Sequence, residues 1–202
     1  MKLHKPLILA SQSPRRQEIL TLAGFEFAVC PADDEWAPEG LTPYDRVREL
    51  ARSKAAQVAK NHPNSIVLGS DTMVVLGDKA LGKPRDEADA VKMLMSLQGG
   101  THEVMTGVWI IETDSTGNAV KEDGFTDVTT VDFWAFSEDE AREYVATGEP
   151  MDKAGAYGIQ GKGMRLVKGI NGDFFTVMGL PGGRLVRFLA TLFEDESKNY
   201  KN

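Results

Sequence analysis

The chain has 202 residues, enough for one α/β unit that buries about 70% of its unfolded surface without disulfide or metal staples. Its 23 Lys and Arg against 30 Asp and Glu leave a formal charge of −7, which steers it away from nucleic-acid polymers and anionic membranes and leaves small anions as ligands where cations gather locally. Cys30 is the one cysteine, which excludes an intramolecular disulfide and reads as a small core residue. The opening apolar run breaks at Gln12 and Pro14, too early for a secretory or spanning segment, so the expected location is the cytoplasm.

Pro6–Ala10 is an apolar run suited to a buried strand, followed by Ser11, Ser13 and Pro14, residue types that start a helix. That helix runs from about Pro14 to Ala23 with Ile19, Leu20 and Ala23 inward and Gly24 as its stop. Thr42 and Pro43 open a second helix, to about Lys60. Its apolar stripe of Val47, Leu50, Ala51, Ala55 and Val58 also contains Lys54. Residues 65–81 predict two strands separated by a polar interruption at Ser70–Thr72, then a turn at Gly77 and Asp78. Asp86 caps a helix that turns Ala90, Leu94 and Leu97 inward and ends at Gly99 and Gly100. His102–Ala135, rich in β-formers around a turn at Ser115–Asn118, predicts a long antiparallel hairpin. Ser137 and Glu140 have capping-box spacing for a helix ending near Gly148. Ile170-Asn171-Gly172-Asp173 predicts a hairpin turn, a last helix follows Pro181, and the tail from about residue 197 is expected to fray. Strands and helices mixed throughout, with no linker or repeat, predict one α/β domain over residues 1–202.

The turn into the first helix gathers Ser11, Ser13, Arg15 and Arg16. A helix N-terminus offers unpaired N–H groups to an anion, and guanidiniums add bidentate phosphate donors. Two arginines in a first turn also oppose the helix dipole, which a bound anion would relieve. Each serine hydroxyl either caps the helix or touches a phosphate. Lys54 either carries its ammonium to a partner or snorkels along the helix edge. Lys83 follows a strand in a loop stiffened by Gly82 and Pro84. Asp71 stands after an apolar strand, where α/β sheets place their chemistry; it can hold a hard cation, activate water, or simply serve a turn. Asp33, Asp34 and Glu35 offer further metal ligands or a solvated acidic loop. Phosphate-loop, nucleophile-elbow and zinc-protease motifs are absent, and His4, His62 and His102 are scattered, which argues against a zinc site. Gly158–Gly163 lacks dinucleotide-fingerprint spacing and predicts a tight strand-edge loop that lets a ligand approach the backbone.

The segments LILASQSPRRQEIL, GSDTMV, GKPRD and DKAGAYGIQGKG, at these separations between Leu7 and Pro181, closely resemble the Maf family of nucleoside triphosphate pyrophosphatases. The resemblance implies a fold similar to inosine triphosphate pyrophosphatases, a mixed twisted sheet with flanking helices in two lobes around a cleft. It also implies a divalent cation (Mg, Mn or Co), often a homodimer, and house-cleaning hydrolysis of a nucleoside triphosphate between its α and β phosphates. On this resemblance Asp71 accepts the proton of water, Asp71 and Glu35 lie at the metal, and Ser11, Arg15, Arg16, Lys54 and Lys83 surround the phosphates, with Ser13 beside them. One family branch prefers dTTP and UTP and another 7-methyl-GTP; Arg15, Thr72 and Gln160 resemble the first. Gln160 offers both a donor and an acceptor to the imide edge of thymine or uracil. The alternatives are a 7-methyl-GTP enzyme or a nucleotide-binding regulator of cell division or septum formation.

Overall fold

The computed structural model describes residues 3–193, so the expected fraying from about residue 197 lies outside the described residues. β1 (Leu7–Leu9) runs parallel to β2 (Phe27–Val29) on one side and to β3 (Ile66–Leu76) on the other. β4 (Lys79–Leu81) folds back antiparallel on the end of β3. β5 (Thr101–Thr113) and β6 (Ala119–Phe133) form the long hairpin and continue the sheet antiparallel to β7 (Val167–Asn171). The order is β2-β1-β3-β5-β6-β7, with β4 beside β3, which is the mixed sheet the sequence implied.

Side-chain alternation gives both faces of this sheet an apolar cover. Leu7, Leu9, Ile66, Leu68, Val108 and Ile110 pack with α1 (Pro14–Leu22) and α6 (Gly182–Phe193). Ile8, Ala10, Val67 and Ile111 pack under α2 (Pro43–Ala59) on the opposite face. A Cβ on Gly69 would stand 2.0 Å from the Ala51 carbonyl oxygen, and one on Gly107 2.3 Å from that of Val47, so these two glycines let the α2 backbone lie on β3 and β5. Farther along the sheet, Val74, Val104, Val131 and Phe133 build a second large core with α3 (Glu87–Leu97) and α4 (Glu138–Val145). Residues 66, 68, 70, 72 and 74 share one face of β3, so Ser70 and Thr72 interrupt the apolar packing between the two large cores.

Helix starts follow their caps. The side chains of Thr42, Asp86 and Ser137 each accept the backbone N–H three residues on, and Glu140 closes the capping box of α4. No helix among the described residues is long and apolar enough to cross a membrane.

Three expectations are corrected. Residues 66–76 form one strand rather than two, because Ser70–Thr72 keep an unbroken ladder with Val108–Thr106 of β5 and the Ser70 hydroxyl is satisfied by the Gly179 carbonyl. Ile170–Asp173 makes no hairpin: the Asp173 carboxylate accepts the Phe175 N–H and starts the short helix α5 (Phe174–Met178), while Asp173 N–H and C=O both bond the Thr129 hydroxyl. Gly158–Gly163 does not lie on a strand edge. It belongs to a run of three 3-10 turns, Glu149–Asp152, Ala154–Ala156 and Gly161–Leu166, that joins α4 to β7. β2 was not foreseen at all; its three residues are half-buried or exposed and carry no alternating signal.

Candidate active site

A cleft of about 1530 Å³ opens beside β3. β1 pairs with β3 only as far as Leu9–Leu68, with the Ala10 N–H adding a bond to Leu68, and β4 begins its pairing at Val74. The edge of β3 from Gly69 to Met73 therefore has no strand on that side, and the cleft occupies this gap. Ser11, Ser13, Arg15, Arg16, Glu35, Lys54, Asp71, Thr72, Lys83 and Gln160 all line it, as does Asp33, whereas Asp34 does not.

Asp71, at an odd position of β3, faces α2. There Lys54 Nζ lies 2.6 Å from Asp71 Oδ1 and 2.6 Å from Glu35 Oε2. The lysine and Asp71 side chains are 15% and 14% exposed, whereas Glu35 is 58% exposed, so the ammonium on the apolar stripe has a largely covered partner on one side and a solvated one on the other. The hydrogen bond from Lys54 holds the Glu35 carboxyl below its ordinary value, against the opposing effect of burial. Asp71 Oδ2 makes no hydrogen bond to the described residues and is free for a water. Asp33 and Asp34 stay exposed and offer only their N–H groups, to Gln57.

Arg16 is the most firmly held group. Its Nε donates to the Gly179 carbonyl at 2.9 Å, Nη1 to Ser11 Oγ at 2.9 Å and Nη2 to Thr72 Oγ1 at 3.2 Å. Burial lowers the Arg16 pKa below the ordinary arginine value, and the charge of Asp71 opposes that shift. Ser11 also accepts the Ser13 N–H at 3.2 Å, so it shapes the turn; neither serine side chain caps α1. Arg15 has only a 3.8 Å contact with Asp152, and Lys83 is exposed with no hydrogen bond or ion pair to the described residues. The Gln160 side chain is likewise uncommitted, at the start of the Gly161–Leu166 turn.

Sequence reasoning missed several cleft residues. Arg46 makes no side-chain bond to the described residues and lines the cavity with Leu50 and Lys54; the i, i+4, i+8 spacing on one helix face was the available signal. Glu149, Asp152, Lys153 and Tyr157 also line it, and nothing short of the three-dimensional path of the 3-10 turns would have found them.

No group of three or more metal-ligating side chains occurs among the described residues. Asp71 and Glu35 are two carboxylates on one cleft wall, a donor set that suits an ion of the Mg²⁺ type, which takes one or two protein carboxylates and completes its shell with phosphate oxygens and water. The histidines offer nothing to it: His62 bonds the Val58 carbonyl, His4 meets Glu112 and His102 meets Tyr157.

The chain is similar to known proteins over nearly its whole length. A protein from Bacillus mycoides named dTTP/UTP pyrophosphatase is 47% identical over 192 residues, 95% of this chain and 97% of its own length. Proteins of the same name from Geobacillus and Bacillus pumilus are 48% and 44% identical over 91% and 92% of this chain and 96% and 95% of theirs. Among solved structures, the Staphylococcus aureus Ham1 protein superposes with a TM-score of 0.51 at 15% identity, over 95% of this chain and all of that one, a likeness of fold alone. The sequence profile of the Maf-like proteins matches residues 6–192, and the chain belongs to that family.

Proposed function

We propose that the chain, acting as one Maf-like domain, is a nucleoside triphosphate pyrophosphatase that hydrolyses dTTP and UTP to the monophosphate and pyrophosphate. The observation that carries the reading is Lys54 held between Glu35 and Asp71 in the cleft that also contains Arg15, Arg16 and Lys83. A carboxylate poised for water beside four cations is what attack on a phosphoryl group requires.

Arg15, Arg16, Lys54 and Lys83 bind the triphosphate and stabilise charge as it builds on the phosphoryl oxygens. Water attacks the α phosphorus. The new P–O bond forms as the bridge to the β phosphorus breaks, pyrophosphate leaves, and the proton of the water passes to the free oxygen of Asp71. Arg16, locked by three hydrogen bonds, stabilises that charge without reorganising. A divalent cation (Mg, Mn or Co) held by Asp71 and Glu35 would add Lewis-acid neutralisation of the phosphate oxygens. Gln160 reads the base, its amide supplying a donor and an acceptor to the imide edge. Names of close relatives support the choice of dTTP and UTP over 7-methyl-GTP. The same reading makes this a cytoplasmic house-cleaning enzyme, in keeping with its acidic composition and single cysteine, and a homodimer by family resemblance.

The test is a nucleotide panel at fixed Mg²⁺ with pyrophosphate and orthophosphate measured separately. Equal yields of monophosphate and pyrophosphate, highest from dTTP and UTP, are expected. Release of orthophosphate alone overturns the α–β cleavage.

A further inference from the structure

The stretch Gly158–Gly163 carries Gln160, and two side chains hold it from both ends. Tyr144, a fully buried side chain of α4, accepts the Gly158 N–H at 3.1 Å and donates its hydroxyl proton to Glu149 Oε1 at 2.9 Å. Glu149 Oε1 also accepts the Gly163 N–H at 3.1 Å, and Oε2 accepts the Lys162 N–H at 2.9 Å. Backbone groups before and after Gln160 are thus tied to one tyrosine–carboxylate pair, while Gln160 lines the cleft and its amide makes no bond to the described residues.

The glycine spacing follows from this arrangement. A Cβ at Gly163 would stand 2.2 Å from the Gly158 carbonyl oxygen and 2.6 Å from the Tyr144 hydroxyl. One at Gly161, whose φ is +71°, would meet Glu149 Oε2 at 2.8 Å, and one at Gly158 would meet the Lys153 stem at 2.8 Å. A spacing that fits no dinucleotide fingerprint is the one that lets the chain close on Tyr144 and Glu149.

We propose that Tyr144 and Glu149 are positioning residues for base recognition, fixing the backbone on either side of Gln160 so that its amide meets the imide edge of a uracil or thymine ring. The proposal rests on the pyrophosphatase reading above. A uracil-type edge presents an N–H donor beside a carbonyl acceptor, whereas cytosine presents a ring-nitrogen acceptor beside an amino donor. A loop free to shift lets a flipping amide reach the N3–C4 side and fit either ring; an amide held at the N3–O2 side, where cytosine presents two acceptors, leaves a polar group unpaired with cytosine in either orientation. The side-chain hydrogen bonds of the pair run between its members or to the loop, so its effect is on discrimination and on KM rather than on the chemical step.

The experiment measures kcat and KM for dTTP and dCTP, and inhibition by inorganic pyrophosphate, in the wild type, Tyr144→Phe and Glu149→Gln. Tyr144→Phe removes the hydroxyl that joins Gly158 to Glu149; Glu149→Gln turns an amide N–H₂ toward N–H donors. In both variants the dTTP-over-dCTP preference should fall about tenfold, mainly through KM for dTTP, the scale of one matched hydrogen bond. Inhibition by pyrophosphate should stay within about twofold, because the phosphate-binding cations are untouched. A purely structural role would lower both nucleotides alike, and an unchanged preference in folded variants overturns the proposal. Amide hydrogen exchange in the wild type tests the clamp without any variant: Gly158, Lys162 and Gly163 should exchange at least about 100-fold slower than unstructured amides, and unprotected exchange at these positions overturns it. A wild type that releases pyrophosphate without preferring dTTP overturns the base-reading role alone, and one that releases none overturns the pyrophosphatase reading.

Discussion

Asp71→Asn separates the proposed chemistry from the fold. The substitution keeps the shape of the side chain and one carbonyl oxygen that can still accept from Lys54, whose second partner, Glu35 at 2.6 Å, is unaffected. Lys54 is therefore not stranded, and stability should change by no more than about 1 kcal/mol, a melting shift of about 2–4 °C for a chain of this size. Turnover should behave quite differently. The amide has no basic oxygen to take the proton of the attacking water and is a weaker ligand for a hard cation, so kcat should fall at least about 100-fold, equivalent to about 3 kcal/mol in the barrier. Pyrophosphate release from dTTP at saturating substrate, beside a thermal melt of the same preparation, reads both quantities. Retention of more than about a tenth of wild-type turnover in a folded variant refutes Asp71 as the base.

Lys54→Met should lower both activity and stability: an apolar stripe alone would favour methionine, but here the loss strands the nearly buried Asp71 next to Glu35, a cost of about 1–3 kcal/mol in a denaturant titration, and unchanged or raised stability contradicts it. Arg46→Met should raise KM for dTTP and weaken inhibition by pyrophosphate about tenfold with kcat nearly intact, since this unpaired cation stands two turns from Lys54 on the cleft face of α2; an unchanged KM removes it from the site. His102 is buried against Tyr157 and Phe133, and burial pushes its pKa down from 6.5 to about 4. Its folded value lies below its unfolded one, so its contribution is fully present above pH 6.5 and is lost as pH falls from 6.5 through 4, on the order of 3 kcal/mol. Urea midpoints should decline over that window and flatten in His102→Gln; identical pH profiles contradict the assignment.

What the sequence made legible is what short-range chemistry decides. Thr42, Asp86 and Ser137 announce their helices because a side-chain oxygen three residues before a backbone N–H caps it whatever the tertiary context. The β5–β6 hairpin was readable because its long strands meet across a local polar turn. Lys54 could be flagged by its cost on an apolar stripe, though its two carboxylate partners could not, since Glu35 and Asp71 arrive from different elements. Ser70–Thr72 misled because three successive polar residues, on both faces of a strand, read as an end of the strand; the ladder with β5 depends on residues more than thirty positions away. Asn171-Gly172 has a strong turn preference, but the Thr129 hydroxyl captures Asp173 and diverts the chain into α5.

That diversion decides how the proposed phosphate site is built. α5 ends at Gly179, whose φ of 112° is open to glycine and strained for other residues, and the Gly179 carbonyl accepts from both Arg16 Nε and the Ser70 hydroxyl. Thr72 receives the third donor of the same guanidinium, its hydroxyl sharing a 3.1 Å bond with Thr106, which in turn donates to the Thr176 carbonyl of α5. On the proposed function, the bond from Arg16 gives Thr72 a role through that guanidinium, in how an arginine is held, rather than through a contact with the base. Two neighbouring arginines on one helix turn consequently have separate physical characters. Arg16 is half-buried and fixed on three acceptors contributed by β3, the end of α5 and the turn before α1, a preorganised cation for developing charge. Arg15, tethered only by a 3.8 Å contact with the exposed Asp152, is free to exchange that partner for a phosphate.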